Sequence, residues 1–302
     1  MKIELSIPGD DIPRWVSNNW DGDITELVYT QIDDDDGDEA PINFPALPPS
    51  VRILRIVKMM GRLTFDASPD LEELYLEDLT GTWEVNKAFF DASVSLRVLR
   101  MLHAGDLGIE CSANSGVLDM RDSRLRDIRL DLNWSLVPLL PWTAQHVDFI
   151  FCNFGPETFA TRPVLKNLLV SNCEGEATYG DISYESLQTL VVNFECVALV
   201  VPPTPVVVMP HHTPGLTLCI NLDVEVNEKA VVRYLRNISA LVNHIVVCTT
   251  EETKSAFSGD DVPDDVYKTE AGMRGALVRN CPHATVEFVS VGNDARDHFY
   301  RM

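Results

Sequence analysis

A short pattern of apolar positions recurs along the chain, in the form apolar-x-x-apolar-x-apolar. Residues 71–76 read Leu-Glu-Glu-Leu-Tyr-Leu, and residues 96–101 read Leu-Arg-Val-Leu-Arg-Met. The last two apolar residues alternate with polar ones, which predicts a short strand with one buried face. The first apolar residue then packs beneath the strand that it enters. A pattern repeated in this way predicts one strand per copy and a core shared by neighbouring copies.

Ten copies of the pattern cover most of the chain. They start at residues 24, 51, 71, 96, 125, 144, 165, 187, 213 and 242, with spacings of 19 to 29 residues. We expect their strand positions to be buried, and the clearest of these are Leu54, Ile56, Leu74, Leu76, Leu99, Ile128, Leu130, Leu168, Val170, Leu190 and Val192.

A polar or Cys residue in several copies extends the pattern eight or nine positions after its start. The residues at this place are Leu79, Asn133, Cys152, Cys173, Cys196, Asn221 and Thr250. The extended pattern resembles the leucine-rich repeat, LxxLxLxxN/CxL, over about residues 24–250. This resemblance implies an α/β fold: an irregular leucine-rich-repeat solenoid, with parallel strands stacked in a horseshoe and short loops, then helices, on its convex side. An ordinary α/β or β-rich domain is the alternative.

The character of the chain changes along its length. We expect an N-terminal cap over residues 1–23, irregular leucine-rich repeats over 24–222, and C-terminal β-α repeats or a capping α/β subdomain over 223–302. The last region resembles the longer helical repeats of the ribonuclease-inhibitor type. Its expected helices lie near 227–243, 251–257 and 265–280, and its strands at 244–249 and 285–290. Between residues 57 and 210 the connections should be mostly loops and short turns.

Composition restricts the partners and the compartment. The 302 residues carry 24 Lys and Arg against 46 Asp and Glu, a net charge of −22 that argues against binding nucleic acid or anionic membranes. No apolar run is long enough for a transmembrane helix, and no signal peptide is expected. The seven cysteines are Cys111, Cys152, Cys173, Cys196, Cys219, Cys248 and Cys281. Their odd number and wide spacing predict reduced thiols in the cytoplasm, with the nucleus as an open alternative.

Motifs for chemistry are weak in this sequence. The acidic stretch 33–39 does not place ligands as an EF-hand loop requires, so we interpret it as a solvated loop. His211 and His212 are adjacent and have no third ligand nearby in sequence. No phosphate-binding or hydrolase signature occurs, and we therefore expect no catalytic residue, metal or cofactor.

The x positions of the repeat predict a surface instead, because they point away from the core onto the concave face. In the middle copies these positions mix Arg, acidic residues and Tyr: Arg55, Glu73, Tyr75, Glu77, Arg100, Asp127, Arg129, Asp131 and Asp148. Arg and Tyr are enriched where partners are anchored. The alternative is that neighbouring Arg and Asp residues only neutralise each other across strands.

These observations favour a non-catalytic protein–protein interaction module that binds a partner through its concave face. Two other functions stay open: a structural subunit of a larger assembly, and an α/β enzyme with no recognisable motif. The net charge of −22 favours a basic partner, whereas the row of Arg residues favours an acidic segment. The sequence identifies neither the partner nor whether the protein acts as a monomer or within an assembly.

Overall fold

Twelve parallel strands and a few short helices form an α/β fold. The computed structural model describes residues 1–7, 11–18, 23–31, 42–60, 62–80, 83–102, 116–132, 136–193, 196–206, 215–221, 232, 234–249 and 269–290. The chain divides into two compact units, Met1–Pro163 with seven of the parallel strands and Val164–Met302 with five.

The main strands of the first unit follow one another in chain order. They are β1 (Lys2–Ile7), β2 (Glu26–Gln31), β4 (Ile53–Met60), β6 (Glu73–Thr80), β8 (Val98–Leu102), β10 (Asp127–Asp131) and β11 (His146–Ile150). Each pairs in parallel with the next, and β6 and β8 confirm the parallel pairing expected near residues 74 and 99. Strand β1, in the region expected to cap the repeats, is itself the first strand of this parallel series.

A second parallel sheet in the first unit was not predicted. It consists of β3 (Ile42–Phe44), β5 (Leu63–Phe65), β7 (Trp83–Val85) and β9 (Gly116–Leu118), in that order. Its strands have three residues each. Three of them, β5, β7 and β9, lie between residues 57 and 210, where the connections were expected to be mostly loops and short turns. Such short runs give too little alternation to separate a strand from a loop by periodicity.

The described part of the first unit also contains two short helices and one further short strand. Helix α1 spans Ile12–Asn18, helix α2 spans Lys87–Ala92, and strand β12 spans Asn153–Phe154. Helix α2 begins after Asn86, whose side-chain oxygen accepts a hydrogen bond from the backbone N–H of Phe89 at 3.1 Å. This cap satisfies one of the free N–H groups at the start of the helix.

A left-handed residue interrupts the strand near its end, or follows it, in several copies and explains the extended pattern. These residues stand seven positions after the start of their copies and have φ between 47° and 56°: Lys58, Asp78, Phe151 and Asn172. This backbone conformation is uncommon for residues other than glycine and turns the chain sharply. The next residue then points inward, and Met59, Leu79, Cys152 and Cys173 are all buried. The Asn or Cys position of the repeat is thus a buried turn position.

The second unit contains five main strands. They are β13 (Asn167–Ser171), β15 (Thr189–Asn193), β16 (Leu216–Asn221), β17 (Val242–Thr249) and β18 (Thr285–Ser290), all parallel and in chain order. Strand β14 (Glu174–Gly175), helix α3 (Val197–Val200), helix α4 (Glu270–Asn280) and 3₁₀ turns at Tyr179–Asp181, Tyr184–Ser186 and Arg236–Ile238 complete it.

The two strands expected near the C-terminus are confirmed, and so is the described part of the helix expected near 265–280. The helix expected near 227–243 is wrong in its last part, where a 3₁₀ turn spans Arg236–Ile238 and β17 already begins at Val242. Strand β18 has the predicted bounds, and β17 begins two residues before its prediction at 244. Helix α4 starts after Thr269, whose side chain accepts a hydrogen bond from the Gly272 N–H at 3.0 Å. The helix expected at 251–257 and the first residues of the one expected at 265–280 lie outside the described residues.

The register of one repeat copy was wrong by two residues. The sequence pattern aligned Leu216 with Leu190, but in the structure Leu190 is in register with Leu218. Strand β16 also carries a register irregularity against β17 at Leu216 and Thr217. The run from Leu216 to Ile220 alternates apolar residues throughout, so its pattern fits two frames equally well.

The core agrees with the prediction in both units. All eleven residues expected in it are at most 2% exposed. In the first unit, the edge-to-face ring pair Phe149 and Phe154, with centroids 5.1 Å apart, adds aromatic packing.

The described cysteines behave as packing residues. Cys152, Cys173, Cys196, Cys219, Cys248 and Cys281 are free and buried. Cys152 Sγ lies 3.3 Å from the Leu130 carbonyl oxygen, and Cys196 Sγ accepts the backbone N–H of Cys173 at 3.1 Å. The buried positions expected for Cys152 and Cys173 are confirmed, whereas Cys111 lies outside the described residues.

Candidate protein-binding surface

The parallel register of the first unit aligns the predicted row of side chains. Val28, Arg55, Tyr75, Arg100, Arg129 and Asp148 occupy successive strands directly opposite one another. They alternate with the buried core residues, so they lie on the other side of the strands. We call this side of β2, β4, β6, β8, β10 and β11 the open face.

Two of these residues hold each other in place. The Arg55 guanidinium lies 3.6 Å from the centre of the Tyr75 ring, and Arg55 Nε donates to Glu26 Oε1 at 2.9 Å. Tyr75 Oη donates to Glu73 Oε2 at 2.6 Å. Burial, and secondly this hydrogen bond, raises the pKa of the Tyr75 hydroxyl. Arg55, Tyr75, Glu26 and Glu73 therefore form a cluster in which each side chain contacts another member, with one cation and two carboxylates.

Arg100 differs from Arg55 in being exposed. Its guanidinium lies 5.5 Å from the centre of the Tyr75 ring, on the strand next to that of Tyr75. Across the part of the chain that the structure describes, Arg100 forms no ion pair within 4.0 Å. Its charge is thus positioned by an aromatic ring and left available at the surface.

The end of the row at β10 and β11 is acidic and half-buried. Burial raises the pKa of the Asp148 carboxyl, although the charges of Arg129 and Arg100 oppose this effect. Arg129 and Asp148 face each other in register on adjacent strands, as do Asp127 and His146. Opposite charges are therefore placed beside each other here, as the alternative of mutual neutralisation expected.

Two further predicted residues lie at the rim of this face. Glu77 is half-buried on β6, two residues after Tyr75 and in register with Leu102 of β8. Asp131 is only 6% exposed and faces the buried Ile150 in register, so we leave it out of the proposed contact surface.

The corresponding side of the second unit is apolar and buried at its centre, on β16 and β17. Cys219, Val246 and Cys248 lie opposite the core positions of β16 and β17 and form a separate buried cluster, against which Val191 and Val289 pack. Burial raises the pKa of Cys219 to about 11 and that of Cys248 to about 12. The row Leu169, Val191, Cys219 and Val246 is uncharged and continues to the exposed Glu287 on β18, which lies 3.5 Å from His244 Nε2. It contains no arginine that would correspond to Arg100.

Other candidate chemistry finds no support in the described ranges. Within them, no group of three or more His, Cys, Asp or Glu side chains is placed to hold a metal ion. No helix among the described residues is both long and apolar enough to cross a membrane. The acidic stretch 33–39 and the pair His211 and His212 lie outside these residues.

A small cavity of about 200 Å³ lies in the second unit. Tyr184, Gln188, Leu216 and Leu241 contribute to its lining. The Tyr184 hydroxyl already donates to the Val200 carbonyl oxygen. Glu185 and Ser186 also contribute to the lining, so the cavity is partly polar.

A basic edge of the first unit was missed by the sequence analysis. Arg124 and Arg126 precede β10, Arg97 precedes β8, and the exposed Trp142 precedes β11. Four Arg residues between 121 and 129, in a chain with a net charge of −22, were a signal for this edge. The repeat pattern drew attention to the strands rather than to the turns that lead into them.

No family model, no curated protein and no solved structure matches the chain.

Proposed function

We propose that the chain is an irregular leucine-rich-repeat solenoid whose first unit binds a protein partner through the open face without catalysing a reaction. Three features support the repeat type: one parallel strand per copy, a residue with left-handed backbone conformation in or just after the strand in several copies, and the buried Cys positions. Horseshoe curvature, and a relation of the C-terminal β-α units to those of ribonuclease inhibitor, are part of this proposal.

The exposed Arg100 above Tyr75 is the observation that carries the proposal. Arg is among the residues that contribute most to protein–protein binding, because it combines a large contact area with hydrogen bonding. Tyr75 is only 8% exposed, so Arg100 supplies the contact and Tyr75 supports it from below. The Tyr75 ring is fixed by Arg55 on one side and by its hydrogen bond to Glu73. Little side-chain freedom would therefore be lost on binding, which favours affinity.

The size of the open face suits a protein rather than a small ligand. Adjacent strands lie about 4.8 Å apart, so the four steps from Arg55 to Asp148 span about 19 Å. This length is sufficient for a contact patch of ordinary size, roughly 800 Å² on each partner. A flat row of side chains on a sheet also buries much less of a small molecule than a cleft does.

The charges of the open face favour a partner that brings a carboxylate to Arg100. Arg55 is already paired with Glu26, and Arg129 faces Asp148 on the next strand. Arg100 is the exposed cation of the row, with Glu77 and Asp127 beside it as half-buried acids. The partner surface should thus be mixed in charge, with an acidic group at its centre and donors around it.

A comparison of bound proteins between variants tests this proposal. The tagged protein should lose its specific partners when Tyr75→Ala, Arg100→Ala and Arg129→Ala are combined. A control with three exposed changes elsewhere in the unit, Arg14→Ala, Arg62→Ala and Leu136→Ala, should retain them. Quantitative mass spectrometry of the captured proteins gives the ratio for each partner.

The fold of the triple variant must be checked by circular dichroism and thermal unfolding. If the triple variant does not fold, Arg100→Glu alone replaces it, because Arg100 is exposed and forms no described ion pair. Partners captured equally by a folded variant and by the control would show that the open face is not the binding surface.

A further inference from the structure

The turns that lead into β8, β10 and β11 are tied together by backbone hydrogen bonds. The Arg126 N–H donates to the Arg97 carbonyl oxygen at 2.8 Å, and the Gln145 N–H donates to the Arg126 carbonyl oxygen at 2.9 Å. Thr143 Oγ1 donates to the Leu125 carbonyl oxygen at 2.6 Å. Residues that flank these contacts are therefore held at one edge of the unit.

We call this edge the basic edge and define it by Val94, Arg97, Arg124, Arg126 and Trp142.

Cations exceed available acids on the basic edge. Asp119 is bound by Arg121 through two hydrogen bonds of 2.9 Å, and Asp122 is paired with Lys87. Both acids of this turn are thus neutralised by other residues. Arg124 and Arg126 are exposed and form no ion pair within the described ranges.

Apolar side chains accompany these charges. Trp142 is 68% exposed, and Val94 is exposed on the turn before β8. Thr143 hydrogen-bonds to the carbonyls of Ser123 and Leu125, which flank Arg124. The turn that carries Trp142 is therefore in contact with the turn that carries Arg124. Arg97 donates to the Val94 carbonyl oxygen at 2.9 Å and so lies on the turn of that residue.

We propose that the basic edge binds an acidic segment of a partner protein that also carries apolar side chains. Exposed Trp and Arg residues side by side are typical of binding hot spots. Two cations without local counterions favour carboxylates at close range, and the exposed Trp142 and Val94 favour a segment that also offers apolar side chains. The net charge of −22 repels every polyanion at longer range, and this repulsion is strongest for the dense phosphate charge of nucleic acid. This surface uses none of the open-face residues, so the inference does not depend on the proposed function.

Binding of defined peptides to the 302-residue chain tests the inference. The probe is a fluorescently labelled peptide of Glu-Glu-Leu repeats, compared with a Gln-Gln-Leu peptide of equal length and with oligothymidine. Fluorescence anisotropy should show tighter binding of the acidic peptide, which weakens as salt is raised. Combining Arg124→Glu with Arg126→Glu should weaken it about tenfold or more, and Trp142→Ala about fivefold.

Matched controls separate the site from the net charge. Arg14→Glu with Arg62→Glu changes the charge by the same amount at other exposed positions, and Leu136→Ala removes another exposed apolar side chain. Both controls should retain binding within about twofold. Equal weakening in the control pair, or equal binding of the acidic and Gln peptides, would overturn the inference. Tighter binding of oligothymidine, lost in the same Arg124 and Arg126 variant, would overturn it in favour of nucleic acid.

Discussion

The strands of the first unit bury one side, whereas β16 and β17 of the second unit bury both. On the open face of the first unit, Arg100 is exposed and Tyr75 is stacked between arginines. At the corresponding place in the second unit, Cys219 and Val246 are buried in a cluster of their own. The two units nevertheless share the same core positions and the same parallel pairing.

This difference shows that the core pattern and the surface are specified by separate positions of the repeat. Apolar positions, most of them Leu, Ile or Val, determine that a strand forms and which side enters the core. The x positions between them determine whether the other side meets water. Strands buried on both sides are nearly continuously apolar, as in Ile245–Cys248 of β17. A binding surface on this side is therefore expected only in the first unit.

The largest difference in stability should follow from placing a charge on the side of the strands that lies opposite the core positions, once in each unit. Val246→Asp puts an unpaired carboxylate into the buried cluster and should lower the free energy of unfolding by about 3–5 kcal/mol. Val28→Asp, at the equivalent position beside Arg55, should change it by less than about 1 kcal/mol. Urea denaturation measures both, and equal destabilisation would remove the distinction between the units.

Shortening a core side chain at the same repeat position should destabilise either unit to a similar extent. Leu74→Ala and Leu168→Ala each leave a cavity among fully buried neighbours and should cost about 2–5 kcal/mol of unfolding free energy. The exposed Leu136→Ala serves as the control and should change it by less than about 0.5 kcal/mol. A cost below about 1 kcal/mol at either core site, measured by urea denaturation, would contradict a stacked core there.

A smaller effect distinguishes the two arginines that contact Tyr75. Arg55→Ala removes an ion pair with Glu26 and a stacked guanidinium, and should cost about 1–2 kcal/mol. Arg100→Ala should cost less than about 0.5 kcal/mol, because its guanidinium is exposed. Thermal unfolding of both variants tests this order. Equal costs would mean that Arg100 is as much a structural residue as Arg55.

The smallest effect concerns the pH dependence of stability at Asp148. Burial raises the pKa of its carboxyl in the folded state, so the ionised form lowers stability at neutral pH. Asp148→Asn should therefore raise the free energy of unfolding at pH 7. This gain should shrink as the pH falls towards about 4, where the unfolded carboxyl also becomes protonated. Urea denaturation at several pH values measures this gain, with Asp127→Asn as the control. A gain that did not change with pH would contradict the prediction.

The sequence predicted the parts of the fold that depend on long periodic patterns. Buried positions such as Leu74 and Leu168 followed from the repeat, because a one-residue slip would expose the whole apolar side of a strand. Three-residue strands such as Ile42–Phe44 were missed, since their formation depends on pairing with neighbours distant in sequence. The register of β16 at Leu216 also depends on pairing with neighbouring strands, so the alternation of apolar residues alone could not determine it.

The sequence predicted that the candidate surface is a row of side chains. It did not predict which of these side chains are paired and which are exposed. Register followed from the repeat, and it placed Arg55, Tyr75 and Arg100 together as expected. Which arginine is held by Glu26 and which is exposed depends on side-chain contacts across three strands. Those contacts depend on packing in three dimensions and cannot be predicted from the spacing of residues in the sequence.

The most direct test of the contrast between the two units is thiol accessibility. Native Cys219 and Cys248 lie on the buried side of β16 and β17, and their pKa values of about 11 and about 12 keep them protonated at pH 8. A Val28→Cys variant places a thiol on the open face of the first unit. Peptide-resolved mass spectrometry after timed alkylation with iodoacetamide measures all three rates in one folded sample.

We expect Cys219 and Cys248 to react at least about 100-fold more slowly than the thiol at position 28, because burial both blocks access and suppresses the thiolate. Denaturation in urea should make the three rates similar. Alkylation of native Cys219 and Cys248 at the rate of the introduced thiol would contradict the account, because that side of the second unit would then be as open as that of the first.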